Sequence, residues 1–277
     1  MKIGAMIESF RLDFKDAAAA AKKIGADGIQ VYASGVVNAD MTAAQINEIK
    51  RILDGEGLEV SALCGDFGCK MFYRPDECRD IIEREKRVMN VAKELGTNIV
   101  TTHIGVVPED ERCPQYESMH KVCKELADFA DSVGGRFAVE TGPEKAELLK
   151  RFLDGLGSRG VSVNLDPANL VMCAGDDPVQ AVYTLKDYIV HTHAKDGIQK
   201  YYVDTKRLYA PEYYGLEPAS WDSIQEVPLG EGGVKWREYI QALKSIGFDG
   251  YLTIERECGD DPASDIAAAA SFLKKLI

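Results

Sequence analysis

One short junction recurs along this chain and limits the folds it can adopt. Lys22-Lys-Ile-Gly25-Ala-Asp-Gly-Ile-Gln-Val31 returns as Lys93-Glu-Leu-Gly96-Thr-Asn-Ile-Val100 and as Lys244-Ser-Ile-Gly247-Phe-Asp-Gly-Tyr-Leu-Thr253. The lysine suits the negative end of a helix dipole, the glycine supplies a left-handed cap, and an apolar, β-favouring run follows at once. Asp54-Gly-Glu-Gly57, Gly134-Gly135 and the stretch from Gly155 to Gly160 precede further apolar runs in the same sense. A helix-to-strand junction used at least six times is the mark of repeated βα units.

Apolar runs place strands near residues 2–8, 28–33, 58–64, 98–103, 136–140, 161–166, 188–193 and 251–255. Helical patterns fall between them, near 12–24, 42–55, 79–95, 115–133, 144–156, 177–186, 234–246 and 262–276. Strict alternation implies parallel strands, and eight units predict an α/β fold, a single (β/α)8 TIM barrel over residues 1–277. An open dinucleotide-binding sheet would need a glycine-rich turn after the first strand, where this chain has Glu8-Ser-Phe-Arg-Leu-Asp13. One connection is out of scale. A long loop insertion at about 197–233, after strand seven, carries Tyr201, Tyr202, Tyr209, Tyr213, Tyr214 and Trp221. Long loops on that side of a barrel form walls over the site, and an aromatic face such as Trp221 can stack on a sugar ring.

Four consecutive strands end in a metal-ligating side chain: Phe137-Ala-Val-Glu140, Val161-Ser-Val-Asn-Leu-Asp166, Ile189-Val-His-Thr-His193 and Tyr251-Leu-Thr-Ile-Glu255. In a parallel barrel all C-terminal strand ends share one rim, so Glu140, Asp166, His193 and Glu255 can converge. Each has an ordinary alternative: a helix-start acid, an Asp-Pro turn, a core histidine, a surface charge cluster. Three carboxylates and one imidazole favour Mn²⁺ or Mg²⁺, with Co²⁺ and Zn²⁺ also accommodated. The period of two puts His191 on the face of His193, one layer deeper, where a core role is expected. His103, closing Val100-Thr-Thr-His103, faces the same rim as a candidate substrate contact or a plain loop histidine.

With these motifs the chain resembles the xylose-isomerase-like barrels of sugar and sugar-phosphate isomerases and epimerases. Val139-Glu140-Thr-Gly, Leu165-Asp166-Pro-Ala-Asn169, His191-Thr-His193-Ala-Lys-Asp196, Pro228-Leu-Gly-Glu-Gly-Gly233 before Trp236, and Leu252-Thr-Ile-Glu255-Arg-Glu257 carry the resemblance. It implies Glu140, Asp166, His193 and Glu255 as metal ligands, Mn²⁺ foremost, and Glu140 and Glu255 as the catalytic pair. The ketose 3-epimerases of this group usually carry a histidine where this chain has Asn169, and an arginine after the strand-seven histidine, where Lys195 and Asp196 stand. Asn169 can still donate to a sugar oxygen, and Lys195 and Asp196 open the aromatic insertion, so they join His103 and Trp221 as candidate substrate contacts.

The implied chemistry is proton abstraction beside a carbonyl through an enediolate, giving isomerisation or epimerisation of a sugar, keto-sugar or polyol. With a leaving group on the next carbon it becomes a dehydratase or lyase reaction on a keto-sugar, keto-glycoside or inosose. Glu231 in the glycine turn would repel a phosphate, which favours a non-phosphorylated substrate. A barrel that binds sugar without turning it over is the alternative of another class. A net charge of -12 and only four histidines weigh against an apurinic endonuclease, nucleic acid and anionic membranes as readings. Seven cysteines (64, 69, 78, 113, 123, 173 and 258) without zinc-type spacing read as reduced thiols in the cytoplasm, with no membrane span. The exposed tyrosines point to a homo-oligomer, a dimer or tetramer.

Overall fold

A computed structural model describes residues 1–67 and 72–277. Eight parallel strands close into a barrel: β1 (Lys2–Met6), β2 (Gly28–Tyr32), β3 (Glu59–Cys64), β4 (Ile99–Thr102), β5 (Arg136–Glu140), β6 (Val161–Leu165), β7 (Ile189–Ala194) and β8 (Tyr251–Ile254). Each pairs with its neighbour in sequence, and β8 pairs with β1 from Lys2 opposite Tyr251 onward. The helices are α1 (Phe14–Lys23), α2 (Ala43–Glu56), α3 (Arg79–Glu94), α4 (Pro114–Ser132), α5 (Ala146–Leu156), α6 (Pro178–Thr184), α7 (Trp236–Ser245) and α8 (Pro262–Leu273). The (β/α)8 TIM barrel expected from the alternation is the observed fold.

The recurring junction does what its chemistry dictates. Gly25 and Gly247 sit at φ of 74° and 78°, left-handed conformations that a side chain would strain, and Gly57, Gly96, Gly134 and Gly157 turn in the same sense. Helix starts are capped from the sequence as well. Asp13 accepts the amide of Asp16, and Thr42 and Gln45 form a reciprocal capping box. The helices then press apolar stripes onto the barrel. On α5, Leu149, Phe152, Leu153 and Leu156 are at most 1% exposed, each contributing about 1.5–3 kcal/mol by burial.

Two expectations change at the rim. The first strand stops at Met6, and Ile7–Phe10 makes a tight helical turn before Arg11, which holds a φ of 55° while donating to the carbonyls of Glu257 and Gly259. The long insertion is not plain loop. Asp196–Gln199 and Ile224–Val227 pair as an antiparallel hairpin, with short helices Thr205–Tyr209 and Pro211–Tyr214 between them. Cys64, Cys113, Cys123, Cys173 and Cys258 are free thiols; Cys69 lies outside the described residues. No helix among the described residues is long and apolar enough to cross a membrane.

The core holds one acid out of place. Glu85, on the buried face of α3, is 0% exposed and lies against Gly65, and its carboxylate makes no well-formed hydrogen bond among the described residues, the Thr102 hydroxyl offsetting its burial only in part. Burial pushes its pKa well above 4.5, so the folded protein keeps it neutral while the unfolded chain ionises it. Stability from this group is therefore lost as pH rises above that ordinary value. Replacing Glu85 with Met should raise unfolding stability by about 1–3 kcal/mol at neutral pH, and by less at about pH 5. Urea midpoints of both proteins across that range check it; a gap that stays constant with pH would refute the assignment.

Candidate metal centre

Four strand ends bring their side chains to one point. Glu140 closes β5, Asp166 and Glu255 each follow the last residue of β6 and β8, and His193 lies near the end of β7. All four are 6% exposed or less, and one ligand atom from each lies within 4.8 Å of the others. The shared focus is His193 Nδ1, which stands 3.4 Å from Glu140 Oε1, 3.2 Å from Asp166 Oδ2 and 3.2 Å from Glu255 Oε2. Asp166 also caps the turn after β6, its Oδ1 accepting the amide of Asn169 at 2.9 Å. The turn role and the centre thus use different oxygens of one carboxylate.

The far side of His193 is packed among amides. Nε2 lies 3.0 Å from Gln30 Oε1 on β2 and 3.1 Å from Asn164 Nδ2, and the Gln30 amide donates to Thr101 Oγ1 at 2.9 Å. A proton on Nε2 satisfies Gln30 and turns the Nδ1 lone pair toward the carboxylates, the arrangement a metal-ligating histidine needs. One imidazole nitrogen and three carboxylates form a donor set that could hold a divalent cation. Without the ion, burial pulls the His193 pKa down, but Glu255, Glu140 and Asp166 outweigh it and hold the ring protonated at neutral pH. Metal uptake must displace that proton. At neutral pH each bound Mn²⁺ should release about one proton, with affinity falling as pH is lowered. Titration calorimetry in buffers of different ionisation enthalpy measures the release, and none would contradict ligation by Nδ1.

The other candidates from sequence distribute around this point. His103 is nearest: Nδ1 is 3.1 Å from Asp66 Oδ2 and Nε2 is 3.5 Å from Glu140 Oε1. Burial lowers its pKa, but Glu140, Asp66 and Glu255 together raise it to about 9. Asn169 donates to Glu140 Oε1 at 3.2 Å, and Lys195 Nζ donates to Glu255 Oε2 at 3.0 Å. Both also line a cavity of about 560 Å³ that Met172, Tyr209, Trp221 and Ile224 line as well. Trp221 is half exposed there, edge-on to Tyr209.

Asp196 is placed differently. It is 1% exposed, and its oxygens accept the amides of Gly197, Gly230 and Val234 and the indole N–H of Trp236. Its bonds therefore go to the two ends of the insertion. His191 sits below the centre, fully buried and neutral, with Nδ1 on Asn164 Oδ1 at 2.9 Å and Nε2 on Thr253 Oγ1 at 2.9 Å. Asn164 in turn donates to Glu140 Oε2 at 3.0 Å. Gln30, Asn164, Asp66 and Glu226 escaped the sequence reading. For the first two, the available signal was a lone amide in an otherwise apolar strand.

The fold and its rim define the class first: a β/α barrel with an acidic, one-histidine cluster at the strand C-termini. A match to the family described as xylose isomerase-like TIM barrel spans residues 18–276, and the chain belongs to that family. Among curated relatives, an inosose dehydratase of Lacticaseibacillus casei is 25% identical over 153 residues, 54% of this chain and 49% of that protein. The chain spans about half the length of the curated relatives it matches. A xylose isomerase domain protein from Planctomyces limnophilus superposes with a TM-score of 0.80 at 24% identity, covering 99% of this chain and 96% of its own. D-psicose 3-epimerase from Clostridium cellulolyticum H10 follows the same fold with a TM-score of 0.74 at 18% identity, covering 100% and 99%.

Proposed function

We propose that this protein is a divalent-metal-dependent sugar isomerase or epimerase, with Mn²⁺ as the preferred ion, that takes a proton from a carbon beside a carbonyl. The observation that carries the reading is the convergence of Glu140, Asp166 and Glu255 on Nδ1 of a buried histidine. A cation held by Glu140, Asp166, His193 and Glu255 would supply positive charge that stabilises the negative charge developing on substrate oxygen as carbon loses its proton. The side chains do the proton work. Glu140, held by Asn164 and Asn169, and Glu255, held by Lys195, form the acid-base pair: the ionised one takes the proton from carbon and the other, in its protonated form, returns one, with the face of the sugar presented deciding which does which. Return to the opposite face of the same carbon is epimerisation, and delivery to the neighbouring carbon is isomerisation.

The cavity beside the centre suits a neutral, hydroxyl-rich ring. Its lining combines the apolar and aromatic Met172, Tyr209, Trp221 and Ile224 with the polar Asn169, Lys195 and Glu257, so a sugar can offer a C–H face to Trp221 and hydroxyls to the polar groups. In this reading Asp196 shapes the wall and makes no substrate contact. Dehydration of an inosose-like keto-polyol is the second reading, favoured by the inosose dehydratase relative. Incubation with a panel of ketoses, keto-glycosides and inososes in D₂O, followed by NMR, separates them. Deuterium at the carbon next to the carbonyl with the water content unchanged supports the first reading, loss of water supports the second, and metal-loaded protein without exchange on any member refutes both.

A further inference from the structure

We propose that Glu226, on the hairpin of the long insertion, is a positioning residue for Glu255 and thereby sets the affinity of the centre for its cation. The inference rests on the metal reading above. The Glu226 side chain is 5% exposed although it comes from an insertion, and its bonds all run to the segment that carries Glu255. Oε1 accepts the Arg256 guanidinium and the amides of Glu257 and Cys258 at 3.1 and 3.2 Å. Oε2 takes a second contact from the Glu257 amide at 3.3 Å and lies 3.8 Å from Lys195 Nζ. One carboxylate therefore clamps the three residues after Glu255 and also faces the lysine that donates to Glu255 Oε2.

Charge points the same way. Lys195 and Arg256 are buried cations that both pair with Glu226; Lys195 also pairs with Glu255 and Glu257, and Arg256 with Asp265. Removing the Glu226 charge leaves both cations paired but shifts the local balance toward positive beside the place where the metal would enter. Removing its shape as well frees the backbone that aims Glu255. Outer partners that orient a ligand typically govern metal affinity by about 10–100-fold.

Manganese affinity of the full chain, read from the EPR signal of free Mn²⁺ and paired with thermal unfolding of the metal-free protein, tests this. Glu226→Gln should weaken Mn²⁺ binding by about tenfold and Glu226→Ala by up to about a hundredfold. Glu217→Gln, an exposed acid on the same insertion with the same change of charge, should bind as wild type. Metal-free Glu226→Gln should unfold close to the wild-type temperature, which separates positioning from simple destabilisation. Wild-type affinity in Glu226→Gln, or equal weakening in Glu217→Gln, would overturn the proposal. Should the variants not fold, hydrogen exchange on the wild type decides: the amides of Asp196–Gln199 and Ile224–Val227 should slow on adding Mn²⁺, and no change overturns it. Wild-type protein that takes up no Mn²⁺ would instead defeat the metal reading itself.

Discussion

Glu140→Gln and Glu255→Gln should each lower turnover of a sugar substrate by about 10²- to 10⁴-fold. Glutamine keeps the length and one acceptor oxygen: at 255 it still accepts from Lys195, and at 140 it serves one of the two donors, Asn164 and Asn169, that the carboxylate serves together. What it loses is basicity: an amide cannot accept a proton from carbon at neutral pH. The loss should therefore appear in kcat more than in KM, because the proton acceptor acts in the transition state. Glu255 bears a second signature. Burial alone would raise its pKa, yet Lys195 and His193 together pull it well below the ordinary carboxylate range, so without metal or sugar it rests ionised, the form that accepts a proton. Metal content must be measured beside rate, since both residues are also candidate ligands. Full turnover by either variant at matched metal occupancy would remove that residue from the proposed acid-base pair.

The second large effect separates two histidines that lie two residues apart on one strand. His193→Ala should deprive the protein of metal, with a loss of affinity beyond the about 10–100-fold expected for an outer partner such as Gln30. Its ring centroid is 5.9 Å from that of His191, which faces amide and hydroxyl partners below the centre. His191→Ala should instead cost about 2–5 kcal/mol of stability, from the cavity it leaves and the unpaired Asn164 and Thr253, with weaker effects on metal. Elemental analysis and urea unfolding of the two variants give the comparison. The reverse pattern would place the cation one layer deeper in the barrel than Nδ1 of His193 allows.

How far the centre could be read in advance follows from where each residue's partners lie. The lysine–glycine–strand junction is local physics: dipole, left-handed cap and β-favouring run all act within ten residues, so the repeat and the eight-fold alternation are visible in one dimension. The convergence of Glu140, Asp166, His193 and Glu255 was also legible, because a parallel barrel sends every strand C-terminus to one rim whatever the sequence between them. Strand period alone separated His193 from His191.

The supporting contacts are of another kind. Gln30 meets His193 across 163 residues of chain, and Ser61 approaches His191 across 130. Nothing near Gln30 in sequence marks it except polarity in an apolar strand. Which interior position it reaches depends on barrel register, including the shift between Ile29 and Gln30 against β3. Asp196 illustrates the opposite failure: beside a metal-site strand it reads as a substrate contact, yet closure of the insertion surrounds its carboxylate with four donors. The insertion's composition promised aromatic walls but held no sign that Glu226 would reach the residues after Glu255. Sequence alone therefore determined the barrel, its rim and the four converging ligand groups, all consequences of local period and parallel direction. Only the tertiary structure decided the partners of His193 Nε2, the work of Asp196 and the hold on Glu255, because those rest on hydrogen bonds between segments whose spacing carries no local signal.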